Sequence, residues 1–261
     1  MRLNINVSMD YALAPDDPAL LAITAAHTDG QTVLESDLAI ENATVRWIDG
    51  EGGIGDRVWA AAQGPRLKLR YRARIDVIRP DVVLRKLTAA PLHALPGDVL
   101  TFVRPSRFCP SDQLASFTEK QFGHLAGGDK IAAIAEWVAR SLSYIAGSSH
   151  AATTAIDTFV TREGVCRDYA HMVCSLARAA NIPARYSSAY GPDISPPDFH
   201  ALAEVWLEGA WHFVDATGMS TAAGLAVIGS GRDAGDIPFM ETEKPAELIG
   251  QSIEVTHEES T

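Results

Sequence analysis

The sequence predicts an α+β protein, in which an antiparallel β-sandwich domain precedes a part that mixes helices with strands. Two observations support this fold class. Over the first hundred residues, apolar and polar side chains alternate in short runs, which are separated by turns containing glycine or proline. From Asp129 onward, apolar residues recur every three to four positions instead, which is the spacing of a helix with one buried face. With 47% hydrophobic residues among 261, the chain can bury a substantial core.

The clearest strand of the β domain spans 66–77, where every second residue is apolar and five of the intervening residues are basic. A row of basic side chains could bind a polyanion. Charge at alternate positions is, however, the usual pattern of an antiparallel strand with one face in water. We therefore assign the basic face to solvent. Shorter strands are predicted at 3–9, 19–27, 32–38, 44–48 and 57–61.

The pattern divides the chain into an N-terminal antiparallel β domain (1–104), a connector (105–128) and a C-terminal core with an extension (129–261). Prolines interrupt the region that leads into the connector, so only short helices are expected there. The acidic stretch after Glu241 is expected to be partly disordered or edge structure.

Two helices are predicted before the most informative motif of the chain. The first follows from the apolar stripe over 129–142, with Asp129 well suited to its N-terminus. The second spans 154–162 and is expected to end with Gly164 as its C-terminal cap.

Composition excludes several classes of partner. The formal net charge of −11 disfavours nucleic acid and anionic membranes. No stretch approaches the roughly 20 apolar residues of a spanning helix, and the first residues alternate like a strand rather than forming a signal peptide. Three scattered cysteines do not form a disulfide framework, which favours a cytoplasmic location with reduced thiols. The sequence does not indicate an oligomeric state.

Cys166 stands at the predicted start of a helix that ends at Asn181-Ile182-Pro183. Unpaired N–H groups and the helix dipole at an N-terminus favour the thiolate form of a cysteine, which is its nucleophilic form. Cys166 is therefore the candidate nucleophile, whereas Cys109 and Cys174 are interpreted as small buried apolar residues. The apolar face of this helix comprises Tyr169, Met172, Val173, Leu176, Ala177 and Ala180.

A histidine and an aspartate follow on a predicted hairpin with strands at 199–207 and 211–215. If the turn has two or four residues, Leu202 lies opposite Asp215, and His200 on the same face is a diagonal neighbour of Asp215. A three-residue turn would place the two on opposite faces. In the first case Asp215 would orient the imidazole, and His200 would take a proton from the thiol and later protonate the leaving group.

These residues belong to blocks that resemble the transglutaminase-like superfamily of papain-related thiol enzymes. The four blocks are 164–171, 181–186, 198–201 and 211–217. Their order fits, as do the separations of 34 residues from Cys166 to His200 and 15 from His200 to Asp215. Segments 105–109 and 231–237 are similar to the bacterial subfamily that carries an N-terminal β domain.

The resemblance implies a papain/transglutaminase-like catalytic core, with Cys166 as nucleophile, His200 as base and Asp215 as orienting acid. The expected function is a thiol-dependent hydrolase, a cysteine protease or amidase, acting on a peptide or protein-like amide substrate through a thioester. Two alternatives stay open. One is transglutaminase-type acyl transfer to an amine, and the other is a non-catalytic binding or scaffold module of the same fold.

No cofactor is implied. His171 and Cys174, three residues apart, could bind a metal together with Cys166, but zinc prefers four ligands and none completes the set. The oxyanion of such chemistry would be bound by the Cys166 backbone N–H and a second donor, for which Trp137 and Tyr144 are the candidates.

Overall fold

The computed structural model describes residues 1–14, 16–80 and 82–258. Its strands are β1 (Arg2–Ala12), β2 (Ala19–Leu21), β3 (Gln31–Ile40), β4 (Ala43–Asp49), β5 (Asp56–Ala62), β6 (Arg66–Val77), β7 (Ser143–Tyr144), β8 (Glu163–Gly164), β9 (Ala184–Tyr190), β10 (His200–Leu207), β11 (Ala210–Val214), β12 (Ala226–Gly231), β13 (Met240–Glu241) and β14 (Glu247–His257). Its α-helices are α1 (Gly97–Leu100), α2 (Ala115–Phe122), α3 (Gly127–Ser141), α4 (Ala155–Thr161) and α5 (Cys166–Ala179).

Two four-stranded antiparallel sheets, ordered β14-β1-β6-β3 and β13-β2-β5-β4, form the predicted sandwich. Strand β6 shows why the alternating pattern specifies it. Its apolar side chains, such as Leu67 and Tyr71, are fully buried, while most of its basic side chains are exposed. The assignment of the basic face to solvent is thereby confirmed.

The C-terminal stretch of the chain returns to the sandwich. Strand β14 pairs with β1 along nearly its full length, with Ile253 opposite Val7, and β13 pairs with β2. Of the two expectations for the acidic stretch after Glu241, edge structure is therefore the one observed over 247–257, and residues 259–261 lie outside the described range.

A third antiparallel sheet, ordered β11-β10-β9-β12, packs against α5. From Asp168 to Arg178 every residue of α5 is buried, as expected of a helix that lies between a sheet and other helices.

No helix in the described part of the chain is long and apolar enough to cross a membrane. The core of this part includes Ile131, Ile134, Val138, Met172, Val173, Leu176, Ala203 and Val205.

Helix α4 ends earlier than expected, and Gly164 is not its cap. The side chain of Thr154 and that of Asp157 cap its N-terminus reciprocally, whereas Arg162 takes the left-handed position at its C-terminus, with φ 61°. The reason lies in β8, which pairs in parallel with β7 and needs Gly164 in extended conformation. The Arg162 guanidinium stacks on the Phe159 ring at 4.3 Å, which holds the side chain at this bend.

Candidate active site

Cys166 is the first residue of α5, as the sequence predicts. It is partly exposed, whereas Cys109 and Cys174 are fully buried and confirm their assignment to the core. The first turn of the helix is fixed by Asp168, whose Oδ2 accepts a hydrogen bond of 2.8 Å from the Val165 N–H. Cys166 therefore lies on a rigid helix start at which its own backbone N–H is not used by the helix.

Gly164 allows this helix start to form. A Cβ atom at this position would lie 2.7 Å from Asp168 Cβ, closer than two such atoms can approach. The absence of a side chain at Gly164 thus lets the Asp168 carboxylate reach back to the Val165 N–H. The glycine two residues before the cysteine has a steric purpose rather than a chemical one.

His200 and Asp215 lie together, because the hairpin has a two-residue turn. Ala203 pairs with Val214 and Leu207 with Ala210, which is the register expected for such a turn. His200 begins β10 and Asp215 directly follows β11, and His200 Nε2 lies 2.8 Å from Asp215 Oδ2. Of the two registers that the sequence left open, the one that brings His200 to Asp215 is observed.

Asp215 receives more hydrogen bonds than the sequence indicated. Its Oδ1 accepts from the Thr217 backbone N–H at 2.9 Å and from the Thr217 hydroxyl at 2.6 Å, and its Oδ2 accepts from the Ser220 hydroxyl at 2.6 Å. The Asp-x-Thr pattern, a common turn in which a carboxylate binds the backbone two residues on, could have pointed to Thr217. Nothing in the sequence marks Ser220.

These contacts set the charge states of the pair. Burial raises the pKa of Asp215, but hydrogen bonds from His200, Ser220 and Thr217 outweigh it, so its pKa is lowered. Burial lowers the pKa of His200, yet the hydrogen bond to Asp215 and the interaction with Cys166 raise it to about 9. At neutral pH the arrangement favours an imidazolium beside an ionised aspartate.

His200 keeps one ring nitrogen for the cysteine. Nε2 is engaged by Asp215, while Nδ1 is buried and has no hydrogen-bond partner among the oxygen and nitrogen atoms of the described residues. Cys166 is among the groups that raise the pKa of His200. Nδ1 is therefore the ring atom that can exchange a proton with the thiol.

The two candidates for a second oxyanion donor separate clearly. Trp137 packs into an aromatic cluster, with its ring 5.0 Å from Phe117 and 5.9 Å from Phe159. Tyr144 instead borders Cys166, because β7 lies beside β8. Burial and then the charge of Cys166 raise the pKa of Tyr144 to about 12, while the Cys166 backbone N–H acts in the opposite direction.

Arg167 organises the loop between Tyr144 and α4. Its guanidinium donates to the carbonyl oxygens of His150 at 2.8 Å and of Ala151 and Thr153 at 3.3 Å each. It also stacks on the Phe108 ring at 4.7 Å. The residue after the cysteine thus holds the loop that follows Tyr144, a contact that sequence spacing does not reveal.

His171 takes part in packing. Its Nε2 accepts a hydrogen bond of 3.1 Å from the Ala234 N–H, and its ring stacks on Phe108 at 5.4 Å. Burial lowers its pKa well below the ordinary value, so the ring is neutral. Nε2 is occupied by this hydrogen bond, and Nδ1 is buried without a hydrogen-bond partner among the described residues.

Comparison with known proteins finds a family match and a full-length structural match. The sequence model of the transglutaminase-like superfamily matches residues 115–216, which include Cys166, His200 and Asp215. A crystal structure of a Cytophaga hutchinsonii protein, provisionally described as a cysteine protease, superposes on the whole chain with a TM-score of 0.94. The two are 31% identical, and the chain covers 92% of that protein.

Curated relatives match over a shorter stretch. An uncharacterized protein of Mycobacterium leprae is 28% identical over 116 residues, which is 41% of each chain. One from Mycobacterium tuberculosis strain H37Rv is 28% identical over 141 residues, 47% of this chain and 45% of that protein. The matched stretches thus span less than half the length of these relatives. The match to the superfamily's sequence model and the full-length match at 31% identity show that the chain belongs to the transglutaminase-like superfamily.

Proposed function

We propose that this protein is a thiol-dependent hydrolase, a cysteine protease or amidase, that cleaves amide bonds through a thioester on Cys166. The observation that carries the proposal is the buried hydrogen bond between His200 and Asp215, which leaves the second ring nitrogen for the cysteine at a helix N-terminus. A binding module has no need of an imidazole that is oriented and charged in this way, which disfavours the scaffold alternative.

The reaction begins with the Cys166 thiolate and the His200 imidazolium. The sulfur attacks the carbonyl carbon of the substrate amide, and the electrons of the C=O bond move to its oxygen. The Cys166 backbone N–H and the Tyr144 hydroxyl donate hydrogen bonds to this oxyanion. When the carbonyl re-forms, the C–N bond breaks, and His200 gives its Nδ1 proton to the departing amine. The product of this half-reaction is a thioester and a neutral imidazole.

Water completes the cycle. Neutral His200 removes a proton from a water molecule as the oxygen attacks the thioester carbon, and collapse of the second oxyanion releases the carboxylic acid and the Cys166 thiolate. Asp215 stabilises the imidazolium at each stage and holds its tautomer, without itself taking up the proton.

The proposed setting is the cytoplasm, and the proposed substrate is a peptide or protein-like amide. A reducing compartment keeps a thiolate in its active form, and the three cysteines, all free, are consistent with such a compartment.

The test uses an activated acyl ester with purified protein. A 4-nitrophenyl ester should release nitrophenolate in a burst equal to the enzyme concentration, and mass spectrometry should locate the acyl group on Cys166. Cys166→Ala should abolish the burst, whereas Cys174→Ala should keep it. Absence of a burst in the wild type would support the scaffold alternative.

The same experiment separates hydrolysis from acyl transfer. With a large excess of a primary amine present, we expect mainly the carboxylic acid. The segment from Gly191 to Asp198 immediately precedes His200, and its three prolines stiffen the chain. Such a segment favours a pre-formed wall that limits which molecules reach the thioester, and water is the simplest acceptor. If the amide dominates, and acid formation falls as the amine concentration rises, the protein is an acyltransferase.

A further inference from the structure

Asp198 has a fixed position beside the candidate catalytic histidine. It is exposed and lies two residues before His200. The residue between them, Phe199, is buried with its ring 4.2 Å from that of Phe239 and 5.5 Å from that of Tyr190. Because Phe199 is held on two sides, the backbone of Asp198 cannot move far relative to His200.

The Asp198 carboxylate is only partly satisfied. Its Oδ1 accepts hydrogen bonds of 2.8 Å from its neighbour's backbone N–H, at Phe199, and from Gln251 Nε2 of β14. In the described ranges, Oδ2 accepts no hydrogen bond, and neither an arginine nor a lysine forms an ion pair with this side chain. Nearby protein atoms nevertheless remove part of its water, which raises the pKa of Asp198. A carboxylate in this state gains from a positively charged partner.

The charge of Asp198 acts on the tyrosine that borders the thiol. Besides burial, which is the larger effect, it raises the pKa of Tyr11 of the sandwich. It contributes in the same direction to the pKa of Tyr144, after burial and the charge of Cys166. The charges of Asp198 and Cys166, which lie on different segments of the chain, therefore both raise the pKa of the Tyr144 hydroxyl.

We propose that Asp198 binds a cationic group of the substrate, an ammonium or a guanidinium, beside Cys166. The inference rests on the proposed thiol chemistry. A negative charge near a forming oxyanion raises the energy of the transition state unless a cation lies between the two. A cationic substrate removes this penalty and supplies the carboxylate with the partner it lacks. The substrate class is thus an amide that carries a lysine-like or arginine-like group, or a free amine, close to the reacting carbonyl.

Charged thiol reagents test this without a known substrate. The probes are 2-(trimethylammonio)ethyl methanethiosulfonate, its neutral methyl analogue and its 2-sulfonatoethyl analogue. Their rates of reaction with Cys166 are measured in the wild type and in Asp198→Asn. Asp193→Asn is the matched control, because this exposed aspartate lies in the same loop and is not among the groups named as shifting the pKa of Tyr144. Thermal unfolding confirms that the variants are folded.

We expect Asp198→Asn to lower the ratio of cationic to neutral reagent rates by about 3- to 10-fold at low salt, and the difference to shrink in high salt. Asp193→Asn should change this ratio by less than about 2-fold. An unchanged ratio in Asp198→Asn, with normal reaction of the neutral reagent, overturns the inference alone. Failure of the neutral reagent to modify Cys166 in the wild type argues against the proposed function itself.

A second measurement tells which part of the substrate carries the cation. In the first arm, which varies the acyl donor, the 4-nitrophenyl esters of benzoyl-arginine and benzoyl-citrulline are compared. In the acceptor arm, 1,5-diaminopentane and butylamine compete for the acyl-enzyme formed from a neutral ester. Preference for the arginine ester, or for the diamine, which keeps one ammonium when its other amine reacts, supports the proposal and identifies that arm if it is lost in Asp198→Asn and kept in Asp193→Asn. Equal use of both compounds in both arms contradicts it.

Discussion

At the scale of single residues, the His200–Asp215 hydrogen bond determines how the site responds to pH. His200 must be protonated to serve as the acid for the leaving amine, and its pKa is raised to about 9. We therefore expect kcat/KM to decline as pH rises through about 9.

Asp215→Asn tests this assignment. The substitution keeps the shape but removes the charge that is the main support of the raised pKa, so the alkaline limb of kcat/KM should move to lower pH. The rate itself should fall roughly 10²- to 10⁴-fold, because the tautomer of His200 is no longer enforced. A pH–rate profile measures both effects. An alkaline limb unchanged by Asp215→Asn would show that another group is titrating.

Tyr144 supplies the second residue-scale prediction. In Tyr144→Phe the hydroxyl that lies near the Cys166 N–H is removed while the ring packing against Tyr169, at 5.9 Å between centroids, is kept. Loss of an oxyanion donor should lower kcat about 10²- to 10³-fold with little change in KM.

Tyr169→Phe is the control for this prediction, since its hydroxyl is engaged by the Leu142 carbonyl, to which it donates at 2.9 Å. It should cost about 1 kcal/mol of stability and leave kcat within a few-fold of wild type. Comparable losses of kcat in both variants would mean that the tyrosine cluster acts only through packing.

At the scale of elements, the first turn of α5 depends on the contact between Gly164 and Asp168. Gly164→Ala should push the Asp168 side chain away, because the added Cβ falls 2.7 Å from Asp168 Cβ. Loss of this cap should lower stability by about 1–3 kcal/mol and slow the alkylation of Cys166, as the helix start loosens.

Gly97→Ala provides the comparison, since an added Cβ there meets no atom within 4 Å. Urea denaturation and iodoacetamide kinetics should leave this variant near wild type. If Gly164→Ala behaves in the same way, Asp168 does not fix the helix start.

The hairpin shows how much a sequence can predict at this scale. Glu208 and Gly209 both have positive φ, 49° and 79°, which suits a two-residue turn, and that turn length fixes the register that brings His200 to Asp215. The periodicity of α5 likewise indicated the place of Cys166. Local rules left only the length of the turn open, because each feature depends on residues close in the chain.

Other features were beyond local rules. The pairing of β7 with β8 involves two residues on each strand, too few to leave a periodic pattern, so Tyr144 stayed one of two candidates. The same holds for the early end of α4, since the demand for extended backbone at Gly164 comes from a strand 20 residues away. Tertiary contacts decided in both cases.

At the scale of the whole molecule, the return of β14 to β1 had no signal in the sequence, because pairing between distant segments depends on the completed fold. The strand nevertheless contributes to the core of the sandwich. Ile253 is 5% exposed and pairs with Val7, whereas Ile249 on the same strand is 48% exposed.

This contrast gives a matched pair of variants. Ile253→Ala should lower the free energy of unfolding by about 2–5 kcal/mol, since it leaves a cavity between the sheets. Ile249→Ala should change it by less than about 0.5 kcal/mol. Urea denaturation of the two proteins measures the difference. Similar small effects would imply that β14 adds little to the sandwich.

The return of β14 also sets the order in which the protein can be completed during synthesis. Strands β1 and β6 leave the ribosome early, but the partner for the open edge of β1 is translated only after the entire segment that holds Cys166, His200 and Asp215. The edge of β1 therefore stays unpaired while the thiol site is being made. Gln251, which anchors Asp198, arrives with the same strand. The segment that closes the sandwich is thus also the one that completes the surroundings of Asp198.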